Sequence, residues 1–234
     1  KIAPERTTGD IDFAVLINDT GIYEQLKEYL IEKENFSAYS GNAFVLIWQD
    51  GTEVDLLPFG ALEDENRKVT VSGTGYSSVH VDGFKEVYEE GLPTVELENN
   101  HSFKFCTLPG IVLLKLVAWD DRPEERRDDI KDIAYILLHF FDMYQETIWA
   151  EHNDLFMDDA NELPSIAARV MGREIRKITE RSDALHERIA SILNKNTEDL
   201  TSSRAAEIMV EVTKNEVSDN FKLLEEINKG FLGG

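Results

Sequence analysis

The sequence predicts an α+β protein, with a mixed β-sheet flanked by helices and then a helical C-terminal domain. Three observations carry this. The first half alternates short β-favouring runs with amphipathic stretches, an Asp-Gly pair joins two apolar runs, and after Pro109 the apolar residues recur at helical spacing. The expected domains are residues 1–108 and 109–234, a size range in which two unequal domains are ordinary.

The elements follow in order. Ile11 to Ile17 is a short strand, and Asn18-Asp19-Thr20-Gly21 supplies turn and cap residues for a helix from about Ile22 to Lys33. The apolar positions of that helix, Ile22, Leu26, Tyr29 and Leu30, predict its buried face. Ala43 to Trp48 reads as a buried strand. Gln49-Asp50-Gly51-Thr52 is a hairpin signal, and Glu53 to Leu57 is the return strand, stopped by Pro58. Val69 to Gly75 is strand-like but glycine-rich, and Thr94–Leu97 with Ser102–Cys106 reads as an antiparallel pair around Asn99-Asn100. Beyond Pro109, Ile130, Ile133, Leu137, Phe140, Phe141 and Tyr144 form one apolar stripe. Val217, Phe221, Leu224, Ile227 and Phe231 form another.

Composition narrows the function. The 234 residues include 24 Lys+Arg and 46 Asp+Glu, a formal net charge of −22, and 42% are hydrophobic. That apolar share supports a core and excludes a disordered chain. The acidic balance argues against generic binding to nucleic acid or anionic membrane while leaving room for a small basic site. A single cysteine, Cys106, allows no intrachain disulfide, and with no basic neighbour it reads as a small buried hydrophobe. No signal peptide is visible, and Ile111–Trp119 is too short to span a bilayer. A soluble, cytoplasmic protein with no membrane partner is expected. The chain opens without Met and enters a strand almost at once, so an upstream segment is expected as well.

The sharpest chemical feature is Gly9-Asp10-Ile11-Asp12-Phe13. With a strand period of two, Asp10 and Asp12 share one face, while Ile11 and Phe13 point the other way, into a core. Paired carboxylates repel unless a cation lies between them, and oxygen ligands suit Mg²⁺ or Mn²⁺. The bland reading makes Asp10 a strand-start residue. Val54-Asp55-Leu56 then places an acid inside an apolar strand, with Glu53 on the same face. Taken alone, this is a solvated sheet face. Placed beside the Asp10–Asp12 strand, it supplies a third carboxylate, and three such groups hold two divalent ions for in-line phosphoryl or nucleotidyl displacement.

Arg6 to Val15, followed by Glu53-Val54-Asp55-Leu56-Leu57-Pro58-Phe59-Gly60, resembles the nucleotidyltransferase superfamily, and within it the AbiEii/AbiGii toxin-type bacterial group. Leu108 to Arg122, followed by Lys131-Asp132, extends the resemblance to about residues 4–138. The resemblance implies a nucleotidyltransferase-like mixed sheet with helices and a helical domain behind it. It implies that Asp10, Asp12 and Asp55 hold metal and that Asp55 helps activate the attacking hydroxyl. Lys115 matches the lysine that faces the triphosphate in relatives. Thr8 and Asp132 fall with Lys115 among the nucleotide-binding positions. The family's Gly-Gly or Gly-Ser/Ala phosphate loop does not precede Asp10, and an upstream segment is expected to carry it. The implied activity is metal-dependent transfer of an NMP from an NTP, ATP among them, to a hydroxyl of a small molecule, a protein or a tRNA end, with a role as the toxin of a toxin–antitoxin pair.

Other residues leave alternatives open. Lys115 lies between Ile111, Leu114 and Leu116, and it either neutralises a phosphate or forms a structural ion pair with Asp132 or another acid. Asp120 to Asp129 reads as a solvated turn with the next helix starting at Pro123. Arg169, Arg173, Arg176 and Lys177 share one helix face, where they either pair with Glu174, Glu180 and other acids or contact a polyanion such as a tRNA acceptor. The five histidines show no metal-ligand spacing. Two further functions stay in play. One is a non-catalytic interaction module, a partner of a cognate antitoxin on an inherited fold. The other is a phosphohydrolase using water.

Overall fold

The computed structural model describes residues 9–19, 21–157 and 162–233. The protein is α+β, and its chain divides into two compact units, Lys1–Lys85 and Glu86–Gly234. The stretch 86–108, with a short helix and a hairpin, falls in the second unit.

The first unit contains β1 (Asp10–Ile17), α1 (Ile22–Lys33), β2 (Ser37–Ala38), β3 (Val45–Ile47), β4 (Glu53–Gly60), β5 (Lys68–Thr70) and β6 (Ser78–His80). Four strands form a mixed sheet in the order β1-β4-β3-β2, and β5 pairs with β6 apart from it. β1 runs parallel to β4, which requires a crossover, and α1 lies on that connection. β3 and β4 form the expected hairpin. Asp50 Oδ1 accepts from Thr52 N at 2.9 Å, Trp48 N donates to Thr52 O at 2.8 Å, and Gly51 adopts φ +93°. Phe44, Leu46, Val54, Leu56 and Phe59 form the centre of this unit's core together with Ile17 and Tyr23.

Three local expectations change. β4 continues through Pro58 to Gly60 rather than stopping at Leu57. Leu56 N donates to Phe44 O on the β3 side, and Ala61 N donates to Ile17 O on the β1 side. By alternation, the Pro58 nitrogen points to the β3 side, where β3 pairing has already ended at Asp55, so no ladder bond is lost. α1 is rotated part of the way from its expected face: Leu26 and Leu30 are half-buried, Ile22 and Tyr29 are exposed, and Tyr23 and Lys27 are buried. Specific bonds set that rotation. Tyr23 Oη donates to Leu56 O at 2.8 Å, and Lys27 Nζ to Ser72 O at 3.1 Å. Ile11 and Phe13 do share the sheet face of buried Val54 and Leu56, but on the edge strand β1 they stay 51% and 37% exposed.

The second unit contains α2 (Phe84–Glu90, beginning just before the division), β7 (Thr94–Glu96), β8 (Ser102–Lys104), α3 (Leu108–Asp121) and α4 (Arg127–Glu151). α5 (Leu163–Thr179), α6 (Asp183–Thr197), α7 (Arg204–Thr213) and α8 (Val217–Leu232) follow. Their apolar faces build one core through Val112, Leu116, Ile133, Phe140, Met171 and Ile227. Thr107 caps α3, its Oγ1 accepting from Gly110 N at 3.2 Å, with Pro109 in the first turn where a missing N–H costs nothing. α4 starts at Arg127 rather than Pro123, because residues 122–126 form a turn closed by Arg126 N donating to Arg122 O. α5 and α8 meet backbone to backbone. A Cβ at Gly172 would lie 2.0 Å from Ile227 O, and one at Gly230 would lie 2.0 Å from Arg169 O. No helix among the described residues is long and apolar enough to cross a membrane.

Candidate active site: an acidic sheet face

The parallel pairing of β1 and β4 fixes the site. Its register sets Asp10 opposite Glu53 and Asp12 opposite Asp55. Register partners on adjacent strands share a face, so all four acids project from one side of the sheet. The opposite face, through Val54 and Leu56, is buried and anchors β4. β4 is held here through Val54 and Leu56, and the four acids lie on the other face, which is covered again farther along at Phe59.

The electrostatics are those of crowded like charges. Half-burial and then the charge of Asp12, with a hydrogen bond between the two carboxyls, push Asp55 up to about 6; Asp10 and Glu53 add to the shift. Such a pair shares a proton or takes a cation. Asp10, Asp12 and Asp55, predicted as metal ligands, are thus brought to one face. Among the described residues they are not drawn so close that all their ligand oxygens fall within 4.8 Å of one another. The donor set itself, carboxylate oxygens on two paired strands, fits Mg²⁺ or Mn²⁺. Glu53 joins the face at the register position of Asp10. It alternates with Asp55 along β4, and only the pairing with β1 makes it a site neighbour. Thr8 lies outside the described residues.

Lys115 and Asp132 meet in the second unit. Lys115 Nζ donates to Asp132 Oδ2 at 2.8 Å and to Asp129 Oδ1 at 3.0 Å. Burial opposes the ammonium charge, but the bond to Asp132 and the charge of Asp129 outweigh it, so the lysine pKa is raised. Asp129 was not among the predicted site residues. Its signal was the i, i+3 spacing with Asp132, which puts both acids on one side of α4. Asp129 Oδ2 is buried without a hydrogen-bond partner, with Arg126 Nη1 4.0 Å away.

The basic residues of α5 are each engaged by acids. Arg169 Nε donates to Glu226 at 2.6 Å, Arg173 holds Asp154 through two bonds of 2.9 and 2.7 Å, and Arg176 lies 3.4 Å from Glu180. Lys177 bridges Glu174 and Glu151. Beside that bridge, Glu151, His152 and Glu174 place their ligand atoms within 4.8 Å of one another. The histidine spacing in the sequence showed no such group, because its members come from the end of α4 and from α5.

No protein-family model, curated protein or solved structure matches the chain.

Proposed function

We propose that the protein is a metal-dependent nucleotidyltransferase with a nucleotidyltransferase-like first unit. The observation that carries this reading is the β1–β4 register, in which Asp12 faces Asp55 and Asp10 lies two residues along the same strand face. Asp10, Asp12 and Asp55 would hold Mg²⁺ or Mn²⁺, which offsets triphosphate charge and stabilises the leaving pyrophosphate. The chain's own part is to hold these acids on two paired strands. Asp55, the third acid of the set, is the group that helps activate the attacking hydroxyl. Thr8, Lys115 and Asp132 are the nucleotide-binding residues of this reading. The acceptor is a hydroxyl of a small molecule, a protein or a tRNA end, and a toxin role with a cognate antitoxin belongs to the same proposal. Arg169, Arg173 and Arg176 contact a polyanion only if their ion pairs open.

The test is transfer of label from α-labelled NTPs to cell-extract acceptors with Mg²⁺ or Mn²⁺. Transfer by the native chain, abolished in a folded Asp12→Asn variant, is the expected result. Transfer retained in that variant overturns the mechanism.

A second reading, a non-catalytic interaction module on this fold, is favoured by one observation. The Lys115 ammonium is already neutralised by Asp129 and Asp132. Absence of NTP binding by the folded chain would select it.

A further inference from the structure

α4 ends on an acid at its negative pole. A helix C-terminus exposes unpaired carbonyls, and cations are favoured there. The last turn of α4 contains no basic residue; its final residue is Glu151, and His152 follows as the capping residue. α5 brings Glu174 to the same point, with its Oε1 2.9 Å from His152 Nε2. Lys177 answers this charge: its Nζ lies 3.1 Å from Glu151 Oε2 and 2.7 Å from Glu174 Oε1. The next cation along α5, Arg173, is turned to Asp154. Two carboxylates thus meet one ammonium at this point.

We propose that Glu151, His152 and Glu174 form a divalent transition-metal site, with Lys177 as the exchangeable cation that the ion displaces. Their donor atoms lie within 4.8 Å of one another, so small side-chain adjustments bring all three to about 2.0–2.2 Å from one ion. One imidazole with two carboxylates selects Zn²⁺ or a relative over Mg²⁺ and Ca²⁺, which take oxygen donors. His152 is 4% exposed and Glu174 is largely covered, so two ligands are held by packing. The more exposed Glu151 closes the site from the solvent side. Lys177, itself partly exposed, swings into water at little cost. When Nε2 binds the ion, the imidazole proton resides on Nδ1. Three protein ligands leave a fourth position for water, and the ion ties the end of α4 to α5. This site is independent of the acidic sheet face, whose donors are all oxygens.

Zn²⁺ titration of the full chain by calorimetry, with Co²⁺ absorption as a check on geometry, tests it. One Zn²⁺ per chain is expected, retained in the Asp12→Asn/Asp55→Asn variant. Glu151→Gln should weaken it at least about tenfold, and Lys177→Gln should tighten it. His152→Gln should abolish it; because that side chain is buried, Glu151→Gln decides if the His152 variant does not fold. The proposal is overturned by absence of stoichiometric binding, by equal affinity in Glu151→Gln, by binding lost only in the Asp12/Asp55 variant, or by no tightening in Lys177→Gln.

Discussion

Asp12 on β1 and Asp55 on β4 are register partners across a parallel strand pair, and half-burial together with the charge of Asp12 pushes the Asp55 carboxyl up to about 6. Two like charges at adjacent positions repel. A shared proton or a bound cation relieves that repulsion.

The pair predicts a pH dependence with a definite sign. Asp55 is raised from 3.8 to about 6, so between those values the folded state binds more protons than the unfolded state. Its stabilising contribution is therefore present at low pH and lost as pH rises from about 4 to about 6. Asp55→Asn, which removes the repulsion, should raise the melting temperature at pH 7 and flatten its slope between pH 4 and 6. A lower melting temperature at pH 7 would show that the ionised carboxylate is structurally required.

Lys115 predicts the opposite behaviour in the second unit. Lys115→Met leaves Asp129, a mostly buried acid, without its ammonium partner and should cost about 2–4 kcal/mol in chemical denaturation. Combining it with Asp129→Asn should recover part of that loss, because the stranded charge is gone. Strictly additive losses would mean that the two groups do not interact energetically.

The glycines at the α5–α8 crossing carry a steric prediction. Gly172→Ala and Gly230→Ala each put a methyl group 2.0 Å from a carbonyl oxygen of the facing helix, so the helices must separate. Each substitution should destabilise the protein by about 2–4 kcal/mol, although alanine is the better helix former. Neutral unfolding curves for both variants would contradict backbone contact at this crossing.

Much of this arrangement was legible in the sequence. Alternation placed Asp10 with Asp12 and Glu53 with Asp55, and the Asp50-Gly51 turn announced the β3–β4 hairpin. What brings the two pairs together is the parallel register of β1 and β4, a long-range pairing that no local pattern specifies. α1 shows the limit from the other side. Its periodicity pointed to Ile22 and Tyr29, but the hydroxyl of Tyr23 and the ammonium of Lys27 have backbone partners across the unit. Helical spacing records apolar residues, not where a buried hydrogen bond will be made. Asp129 and the Glu151–His152–Glu174 group were missed for a similar reason, since their partners come from other helices.

The arginines of α5 differ in predicted weight. Arg169 and Glu226 are both largely covered, whereas Asp154, the partner of Arg173, is more than half exposed. Arg169→Ala should cost about 1–3 kcal/mol and Arg173→Ala less than about 1 kcal/mol in the same denaturation assay. Equal losses would indicate that burial does not set the strength of these pairs.

The most direct test of the central claim is a thermal-shift series on the native chain and on Asp12→Asn, with each NTP in the presence and absence of Mg²⁺ or Mn²⁺. A ligand that binds only the folded state at ~100 times its Kd contributes about 2.7 kcal/mol, a readily measured rise in melting temperature. The account predicts a rise that requires metal and NTP together and disappears in Asp12→Asn. An unchanged melting temperature with every NTP, or an equal rise in Asp12→Asn, would contradict it.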